Sequence, residues 1–315
     1  MRHSADSKTK GENIMKTIVF GGSGFLGSYL AEALVAAGYE VTIFDLKGSG
    51  LDNVNMVIGD ITDAPKVREA ITGADIVYNL AAIADIDECV KNPVEAVKYN
   101  ILGNTVILNE CAKAKKPIKR FVYASSVYVY SSSGGFYRST KQASESIIEN
   151  YNKYYGIPYT IVRYGTPYGP MADEKNSVYR FIKDACEKGK MQYVGVGTEV
   201  REYIHASDAA RLSVKILDAE YENQRVMLTG HHPVKVSDLL MMINEILGGK
   251  IGIEYLGKKK DVPERHYTIT PYSYNPRIAK KLVDHYYLDL GQGLLDCVEK
   301  FKSKEVGKPF TEMKK

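Results

Sequence analysis

The chain contains few cysteines, and their arrangement limits the sites that they can form. There are four among 315 residues, Cys89, Cys111, Cys186 and Cys297, and no two of them form a CxxC pair. Without such a pair a zinc site is not expected, and we predict no bound metal. Widely separated cysteines are typical of reduced, mostly buried thiols, so we expect a cytoplasmic protein.

Long apolar runs and a strong charge bias are also missing. No stretch approaches the roughly 18 apolar residues of a membrane helix, so we expect no membrane association. The formal net charge is only +4. A nucleic-acid binder needs a concentrated basic face, so no nucleic-acid partner is expected. The first 13 residues are polar and lack the apolar core of a signal peptide, and we predict a disordered extension over residues 1–14.

The first half of the chain alternates strand-like and helix-like segments. Short β-branched runs at residues 17–20, 40–44 and 75–78 are each followed by a stretch with helical spacing. This alternation predicts an α/β fold, a Rossmann-type doubly wound parallel sheet covered by helices on both faces. We assign residues 15–165 to the Rossmann domain. Residues 166–315 are richer in turns and are predicted to form a smaller mixed substrate lobe, with some segments returning to the Rossmann sheet.

A glycine-rich turn follows the first predicted strand and opens the first helix. Its glycines, Gly21, Gly24 and Gly27, have the spacing GxxGxxG. Glycine permits a tight turn and the close approach of a pyrophosphate, which would meet the free N–H groups of Phe25, Leu26 and Gly27 at the helix N-terminus. An ordinary strand-to-helix turn is the alternative for this match taken alone.

Asp45 ends the second predicted strand, about 20 residues after the glycines, where an acid can accept hydrogen bonds from the ribose of a dinucleotide. A carboxylate there would repel a 2′-phosphate and therefore favours NAD over NADP. Lys47 lies close enough to keep NADP open, and a surface carboxylate in a turn is the other alternative.

Tyr137 and Lys141 are four residues apart and share one face of a predicted helix. A nearby ammonium lowers the pKa of a phenol from its usual value of about 10, which makes the phenol a usable acid or base. Ser125 and Ser126 end the preceding strand, where a hydroxyl would reach a substrate oxygen beside the tyrosine. An exposed tyrosine and capping serines are the alternatives, but the order of the motifs favours an NAD(P)-dependent oxidoreductase.

From residue 16 to 303 the chain resembles the extended short-chain dehydrogenases, in the NAD-dependent epimerase/dehydratase group that acts on nucleotide sugars. Further motifs carry the resemblance: residues 59–63 (GDITD), 79–82 (NLAA), 100–105 (NILGNT), 125–130 (SSVYVY), 163–170 (RYGTPYGP) and 201–208 (REYIHASD).

The resemblance implies a role for individual residues and a homodimer formed through the helix that carries Tyr137. Ser126, four residues before Tyr130, is implied to be catalytic together with Tyr137 and Lys141. We also add Arg265 as a contact to the substrate diphosphate. The other implied substrate contacts are Ser125, Ser126, Thr166 and Arg201. The implied NAD contacts are Gly21, Gly24, Phe25, Leu26, Gly27, Asp45, Asp60, Ile61, Leu80, Ala81, Ala82, Asn100, Tyr137, Lys141 and Tyr164.

The chain departs from the family pattern around the catalytic serine. Only ten residues separate Ser126 from Tyr137, and the short segment 131–135 (SSSGG) is small and flexible, so we expect an altered wall of the sugar pocket. Val127 and Tyr128 stand where sugar 4,6-dehydratases usually carry an Asp-Glu pair and where decarboxylases usually carry a Glu. Thr166 stands where a phosphate-contacting Asn is common.

These features predict an NAD-dependent nucleotide-sugar 4-epimerase, with UDP-sugars as the substrate class. Tyr137 would take a proton from the sugar 4-hydroxyl, and the cofactor would accept the C4 hydride and return it to the other face of a 4-keto sugar. A reductase, dehydrogenase or dehydratase of the same family is one alternative. A non-catalytic dinucleotide-binding regulator on the same fold is the other.

Overall fold

The computed structural model describes residues 14–257, 266–270 and 279–306. Its strands are β1 (Lys16–Phe20), β2 (Glu40–Asp45), β3 (Asn55–Ile58), β4 (Ile76–Asn79), β5 (Arg120–Ser126), β6 (Tyr159–Tyr164), β7 (Thr166–Tyr168), β8 (Lys190–Tyr193), β9 (Val200–Arg201), β10 (Tyr203–His205), β11 (Gln224–Leu228), β12 (Val234–Lys235), β13 (Gly252–Tyr255) and β14 (Lys280–Lys281). Its α-helices are α1 (Phe25–Ala36), α2 (Ala64–Ile71), α3 (Ile86–Lys91), α4 (Pro93–Val97), α5 (Asn104–Ala112), α6 (Gly135–Tyr155), α7 (Ser177–Lys188), α8 (Ala206–Lys215), α9 (Val236–Ile246) and α10 (Leu290–Val306). Single-turn 3-10 helices span Val127–Tyr130 and Ala219–Tyr221.

The main sheet has the order β14-β11-β6-β5-β4-β1-β2-β3 in the described part of the chain. All of its neighbouring strands pair in parallel. Every residue of β4 and β6 is buried, as expected for central strands that are covered on both faces. The predicted Rossmann-type fold is therefore confirmed, and β11 and β14 join this sheet from beyond residue 165.

Helices cover both faces of the sheet. On one face α1 and α8 pack through Leu30, Leu34 and Leu212. On the other face α2, α5 and α6 contribute apolar side chains such as Ile107 and Ile148. A third cluster joins α7, α9 and α10 beside small two-stranded sheets, β10-β7, β12-β9 and β13-β8. The carboxyl ends of β1, β2, β4, β5 and β6 therefore face this smaller cluster across one edge of the main sheet.

The helical stretch over residues 93–112 changes its hydrogen-bonding pattern part-way along. Lys98–Gly103 forms a π-helical turn between α4 and α5. Such turns insert an extra residue and are common near functional sites, because they redirect a side chain. Here the π turn contains the buried Asn100.

Cys89, Cys111 and Cys297 are buried and Cys186 is exposed. Among the described residues, no helix combines the length and the apolarity needed to cross a membrane. The extension predicted over residues 1–14 lies outside the described residues except for Ile14.

Candidate active site

The glycine turn between β1 and α1 is too tight for any side chain. Gly21 has a φ of +77°, and a Cβ placed on it would lie 2.6 Å from the backbone nitrogen of Ala81. A Cβ on Gly27 would lie 2.1 Å from the carbonyl oxygen of Gly21. The Gly24 N–H donates to that same oxygen at 3.1 Å and closes the turn. The first N–H groups of α1 have no partner within the helix, so the turn and the helix end form a cradle for an anion.

Asp45 lies beside this cradle at the end of β2. Its Oδ2 accepts a hydrogen bond from the Ser23 N–H at 3.0 Å, which holds the carboxylate against the glycine turn. The Ser23 hydroxyl donates to the carbonyl of Lys47 at 3.0 Å, which ties down the loop after β2. This geometry suits an acid that accepts hydrogen bonds from ribose hydroxyls.

Two further segments border the cradle at the ends of β3 and β4. Asp60 accepts hydrogen bonds from the N–H and hydroxyl of Thr62, each at 2.8 Å. Burial by itself would raise the pKa of Asp60, but the Thr62 hydrogen bonds and the Lys98 charge lower it overall, so the carboxylate is ionised. Ile61 packs against Gly103 of the π turn, where a Cβ would lie 2.4 Å from the Ile61 Cδ1.

The segment after β4 is held in place by asparagines. Ala81 donates its N–H to the Asn79 side chain at 3.2 Å, and the Leu80 N–H donates to the carbonyl of Phe20 at 2.8 Å. Leu80, Ala81 and Ala82 are half-buried and lie beside Gly21. They therefore form one wall of the cradle.

Asn100 links the segment after β4 to the catalytic helix. Its Oδ1 accepts the Ile83 N–H at 2.8 Å, and its Nδ2 donates to the Ile83 carbonyl and to the Thr140 hydroxyl, both at 3.0 Å. Both amide hydrogens are thus donated within the protein. Asn100 positions the cofactor wall and α6 through its side chain, and any contact with a cofactor stays a prediction.

Ser126, Tyr137 and Lys141 come together as the sequence predicts. The Ser126 hydroxyl, at the end of β5, lies close enough to the Tyr137 phenol of α6 to act on its pKa. The Lys141 Nζ is buried, donates to the carbonyl of Ala124 at 2.7 Å and lies 5.8 Å from the centroid of the Tyr137 ring. The hydroxyl, phenol and ammonium groups therefore converge at the carboxyl end of β5.

Burial governs the protonation of Tyr137 and Lys141. Desolvation raises the pKa of Tyr137 to about 12, although the hydrogen bond with Ser126 lowers it in part. Desolvation lowers the pKa of Lys141 to about 8. The expected lowering of the phenol pKa by Lys141 is therefore wrong: desolvation, which disfavours the charged form of a buried group, is the largest influence on Tyr137. At neutral pH Tyr137 is protonated and Lys141 is mostly charged.

The Ser125 hydroxyl is bonded to a buried side chain of the protein. Its hydroxyl donates to the Glu145 carboxylate at 2.5 Å, and Glu145 forms a buried ion pair with Arg163 through bonds of 2.9 and 2.5 Å. Arg163 also donates to the Tyr130 hydroxyl. Sequence reasoning missed this cluster, although Glu145 lies four residues after Lys141 on the same helical face and Arg163 interrupts an apolar strand. The predicted contact between Ser125 and substrate stays a prediction.

Tyr164 is likewise placed in the core. Its hydroxyl forms a 2.6 Å hydrogen bond with the Ser213 hydroxyl of α8, and the residue is buried. Its side chain therefore packs between the sheet and α8, and only its backbone lies at the carboxyl end of β6.

Two of the predicted substrate residues, Thr166 and Arg201, contact one aromatic side chain, Tyr267. The Thr166 hydroxyl lies 3.3 Å from the Tyr267 hydroxyl, and the Arg201 guanidinium lies 4.4 Å from the centroid of the Tyr267 ring. The Tyr267 ring in turn contacts Tyr128, with 4.6 Å between centroids, and Tyr128 lies 6.1 Å from the ring of Tyr137. A continuous path of contacts thus leads from the catalytic phenol to Arg201. Arg265 lies outside the described residues.

A family profile described as the NAD dependent epimerase/dehydratase family matches residues 17–230. The chain belongs to this family. The family is NAD-dependent, and the glycine cradle, Asp45 and Asp60 are residues that fit a dinucleotide in this chain. Membership also implies an enzyme that modifies nucleotide sugars, which agrees with the convergence of Ser126 and Tyr137.

Individual members of the family show how broad the similarity is. A UDP-N-acetyl-alpha-D-glucosaminuronate decarboxylase of Bacillus cytotoxicus is 25% identical over 92% of this chain and 98% of its own length. UDP-glucuronate 4-epimerase 4 of Arabidopsis thaliana is 28% identical over 86% of this chain and 72% of its own length. The structure of a UDP-glucuronic acid 4-epimerase from Bacillus cereus, in complex with UDP-glucuronic acid and NAD, superposes with a TM-score of 0.80. It covers 92% of this chain and 100% of that chain at 23% identity, so it supports the fold.

Proposed function

We propose that this protein is an NAD-dependent nucleotide-sugar 4-epimerase that acts on UDP-sugars. The observation that carries the proposal is the Ser126 hydroxyl next to the Tyr137 phenol and Lys141, with no carboxylate in the two residues after Ser126. Similarity to the Arabidopsis UDP-glucuronate 4-epimerase supports the same reaction and substrate class.

The side chains can move a proton at the sugar 4-hydroxyl. Tyr137, once it has released its own proton to solvent and become a phenolate, would receive that proton and later return it, while Ser126 holds the hydroxyl oxygen in line. Lys141, charged below a pKa of about 8, supplies the positive charge that favours a transient phenolate and would bind the cofactor ribose. NAD, when bound, supplies the hydride acceptor at C4.

The residues around Ser126 disfavour elimination and decarboxylation. Val127 and Tyr128 follow Ser126, where an acid would be needed to lose water or to assist loss of a carboxylate. Glu145 is near the catalytic lysine, but its oxygens are bonded to Ser125 and Arg163. Return of the hydride to the opposite face is then the simplest outcome for a 4-keto sugar.

Incubation with UDP-glucose, UDP-glucuronate and UDP-N-acetylglucosamine, followed by proton NMR, tests the reaction. We expect C4 epimers without net formation of NADH, and turnover by Tyr137→Phe that is about 10²- to 10⁴-fold lower. Because the Bacillus cytotoxicus relative is a decarboxylase, carbon dioxide release from a UDP-uronic acid is measured in parallel. Carbon dioxide, a dehydrated sugar or stoichiometric NADH would each replace the epimerase proposal.

We also propose a homodimer through the outer face of α4 and α6. Large apolar side chains are exposed there, with Val94 76%, Tyr154 69% and Tyr155 65% accessible. Apolar side chains that are exposed in the single chain would be covered by such a contact between two chains. Light scattering of the purified protein should give the mass of two chains, and Tyr154→Glu should give a monomer. A monomeric wild-type protein would refute the dimer.

A further inference from the structure

We propose that Tyr128, held by His266, is the specificity-determining wall of the sugar site and limits the size of the sugar substituents. The inference rests on the proposed function for the nature of the ligand. In this proposal Tyr128 takes the place of the longer segment that the family usually has before its catalytic tyrosine.

The contacts of Tyr128 place it between the catalytic and the substrate residues. Its ring meets Tyr137 edge-on at 6.1 Å between centroids and Tyr267 at 4.6 Å. Tyr267 in turn contacts Thr166 and Arg201. A ligand that touches both Tyr137 and Arg201 must therefore lie against the Tyr128 and Tyr267 rings.

A hydrogen bond across the two parts of the molecule holds the Tyr128 ring. The Tyr128 hydroxyl lies 2.8 Å from the Nδ1 of His266, 138 residues away in the sequence. Burial raises the pKa of Tyr128 well above its usual value, so the phenol stays neutral and suits a wall better than a base. With its hydroxyl bound to His266, the ring cannot swing away without losing that bond.

The shortened segment before Tyr137 makes room for this ring. Gly134 has a φ of +97°, and a Cβ on it would lie 2.7 Å from the Tyr128 Cδ1 and 3.3 Å from its Cγ. The ring therefore packs directly on the glycine backbone. An aromatic side chain thus occupies the side of the site that the short segment would otherwise leave open.

Removing the wall should widen the range of sugars that bind. Affinities are measured by calorimetry with NAD present in a Tyr137→Phe background, so that binding is read without turnover. The probes are UDP-glucose and two larger sugars, UDP-N-acetylglucosamine and UDP-glucuronate. We expect Tyr128→Ser to improve binding of at least one larger sugar relative to UDP-glucose by about tenfold, the usual scale for a small change in pocket volume. Tyr128→Phe should change that ratio less than about threefold, because it keeps the ring.

Two glycine variants test the wall without touching Tyr128. Gly134→Ala would push the ring, whereas Gly156→Ala, at the other end of α6, has a similar positive φ of +68° and no atom within 4 Å of the new Cβ. We expect the affinity for the larger sugars relative to UDP-glucose to change in Gly134→Ala and to stay the same in Gly156→Ala.

The proposal would be overturned if Tyr128→Ser left the affinities for both larger sugars, relative to UDP-glucose, unchanged. Equal shifts in Tyr128→Ser and Tyr128→Phe would also overturn it, because they would show that the hydroxyl and not the ring decides. Neither result depends on epimerisation, because the failure of the proposed function is seen separately as the absence of C4 epimers from the wild-type protein.

Discussion

The cofactor end and the sugar end of the site are built in different ways. At the cofactor end, the glycine turn, Asp45 and the segment after β4 are short local motifs, each at the end of a buried parallel strand. At the sugar end, Tyr128, Tyr267 and Arg201 come from distant parts of the chain and meet through side chains. Backbone geometry thus defines the first end, and side-chain packing defines the second.

This difference distinguishes the part of the site that members of the family can share from the part that can vary between members. A glycine whose Cβ would strike a carbonyl oxygen cannot be replaced without moving the backbone. A tyrosine that forms a wall can be exchanged for another residue with little effect on the sheet beneath it. The cofactor end is therefore suited to a common chemistry, and the sugar end to different substrates.

Tyr137 joins the two ends, and its loss should have the largest effect. Tyr137→Phe keeps the ring but removes the phenol that is proposed to exchange a proton with the substrate beside Ser126. We expect turnover to fall about 10²- to 10⁴-fold, the usual contribution of general acid–base catalysis. NMR rates and sugar affinities measure the effect, with Tyr130→Phe as the control. Unreduced turnover would show that another group moves the proton.

Beneath the sugar end, Glu145→Gln should lower stability most. It leaves Arg163 buried beside an uncharged partner, and breaking such a pair costs about 3–5 kcal/mol. Denaturant titration measures the free energy of unfolding. The control, Glu95→Gln, breaks the exposed pair with Lys98, for which little change in stability is expected. Equal losses for both variants would contradict the assignment of a buried ion pair.

At the cofactor end, Gly27→Ala should weaken NAD binding. The new Cβ would lie 2.1 Å from the Gly21 carbonyl oxygen, so the turn must open. Overpacking of this kind costs about 1–3 kcal/mol, which corresponds to roughly 5- to 150-fold in affinity. Gly48→Ala is the control, since its Cβ would meet no atom within 4 Å. Calorimetry with NAD should separate the two variants, and equal affinities would argue against the cradle.

Lys141→Met should stabilise the cofactor-free protein at neutral pH. Burial lowers the pKa of Lys141 from 10.5 to about 8, so its charge costs on the order of 3 kcal/mol in the folded state below about pH 8. Loss of the hydrogen bond to Ala124 offsets about 1 kcal/mol, which leaves a gain of about 2 kcal/mol.

The gain from Lys141→Met should shrink as the pH rises from about 8 towards 10.5, because the folded wild-type protein then carries a neutral lysine. Denaturant titrations at pH 7 and pH 10 measure this trend, while turnover should be lost at both. A gain that grows with pH would contradict the buried cation.

Asp45→Asn should have the smallest effect, a shift in cofactor preference. The substitution keeps an acceptor for the Ser23 N–H but removes the charge that repels a 2′-phosphate. The screened repulsion between one carboxylate charge and the 2′-phosphate is worth about 1 kcal/mol. This corresponds to roughly fivefold in the ratio of NADP to NAD affinity. Asp52→Asn, an exposed carboxylate in the following loop, is the control. An unchanged ratio in Asp45→Asn would place the ribose elsewhere.

Features that depend on neighbouring residues could be predicted from the sequence. The alternation of strands and helices, the glycine turn and the spacing of Tyr137 and Lys141 are local, and a parallel sheet brings the ends of its strands to one edge. The meeting of Ser126 with Tyr137 follows from the same rule, because β5 and α6 are consecutive elements.

Contacts between distant residues, and the balance of solvation, were decided only by the tertiary structure. It placed the Ser125 hydroxyl on Glu145, the Tyr164 hydroxyl in the core and the Tyr128 hydroxyl on His266, none of which a local pattern encodes. It also reversed the expected pKa shift of Tyr137, because burial of the phenol is the largest influence on that pKa. The sequence by itself determined the order of the catalytic and cofactor motifs. The packing of α6 against the sheet and the smaller lobe determined the environment in which they act.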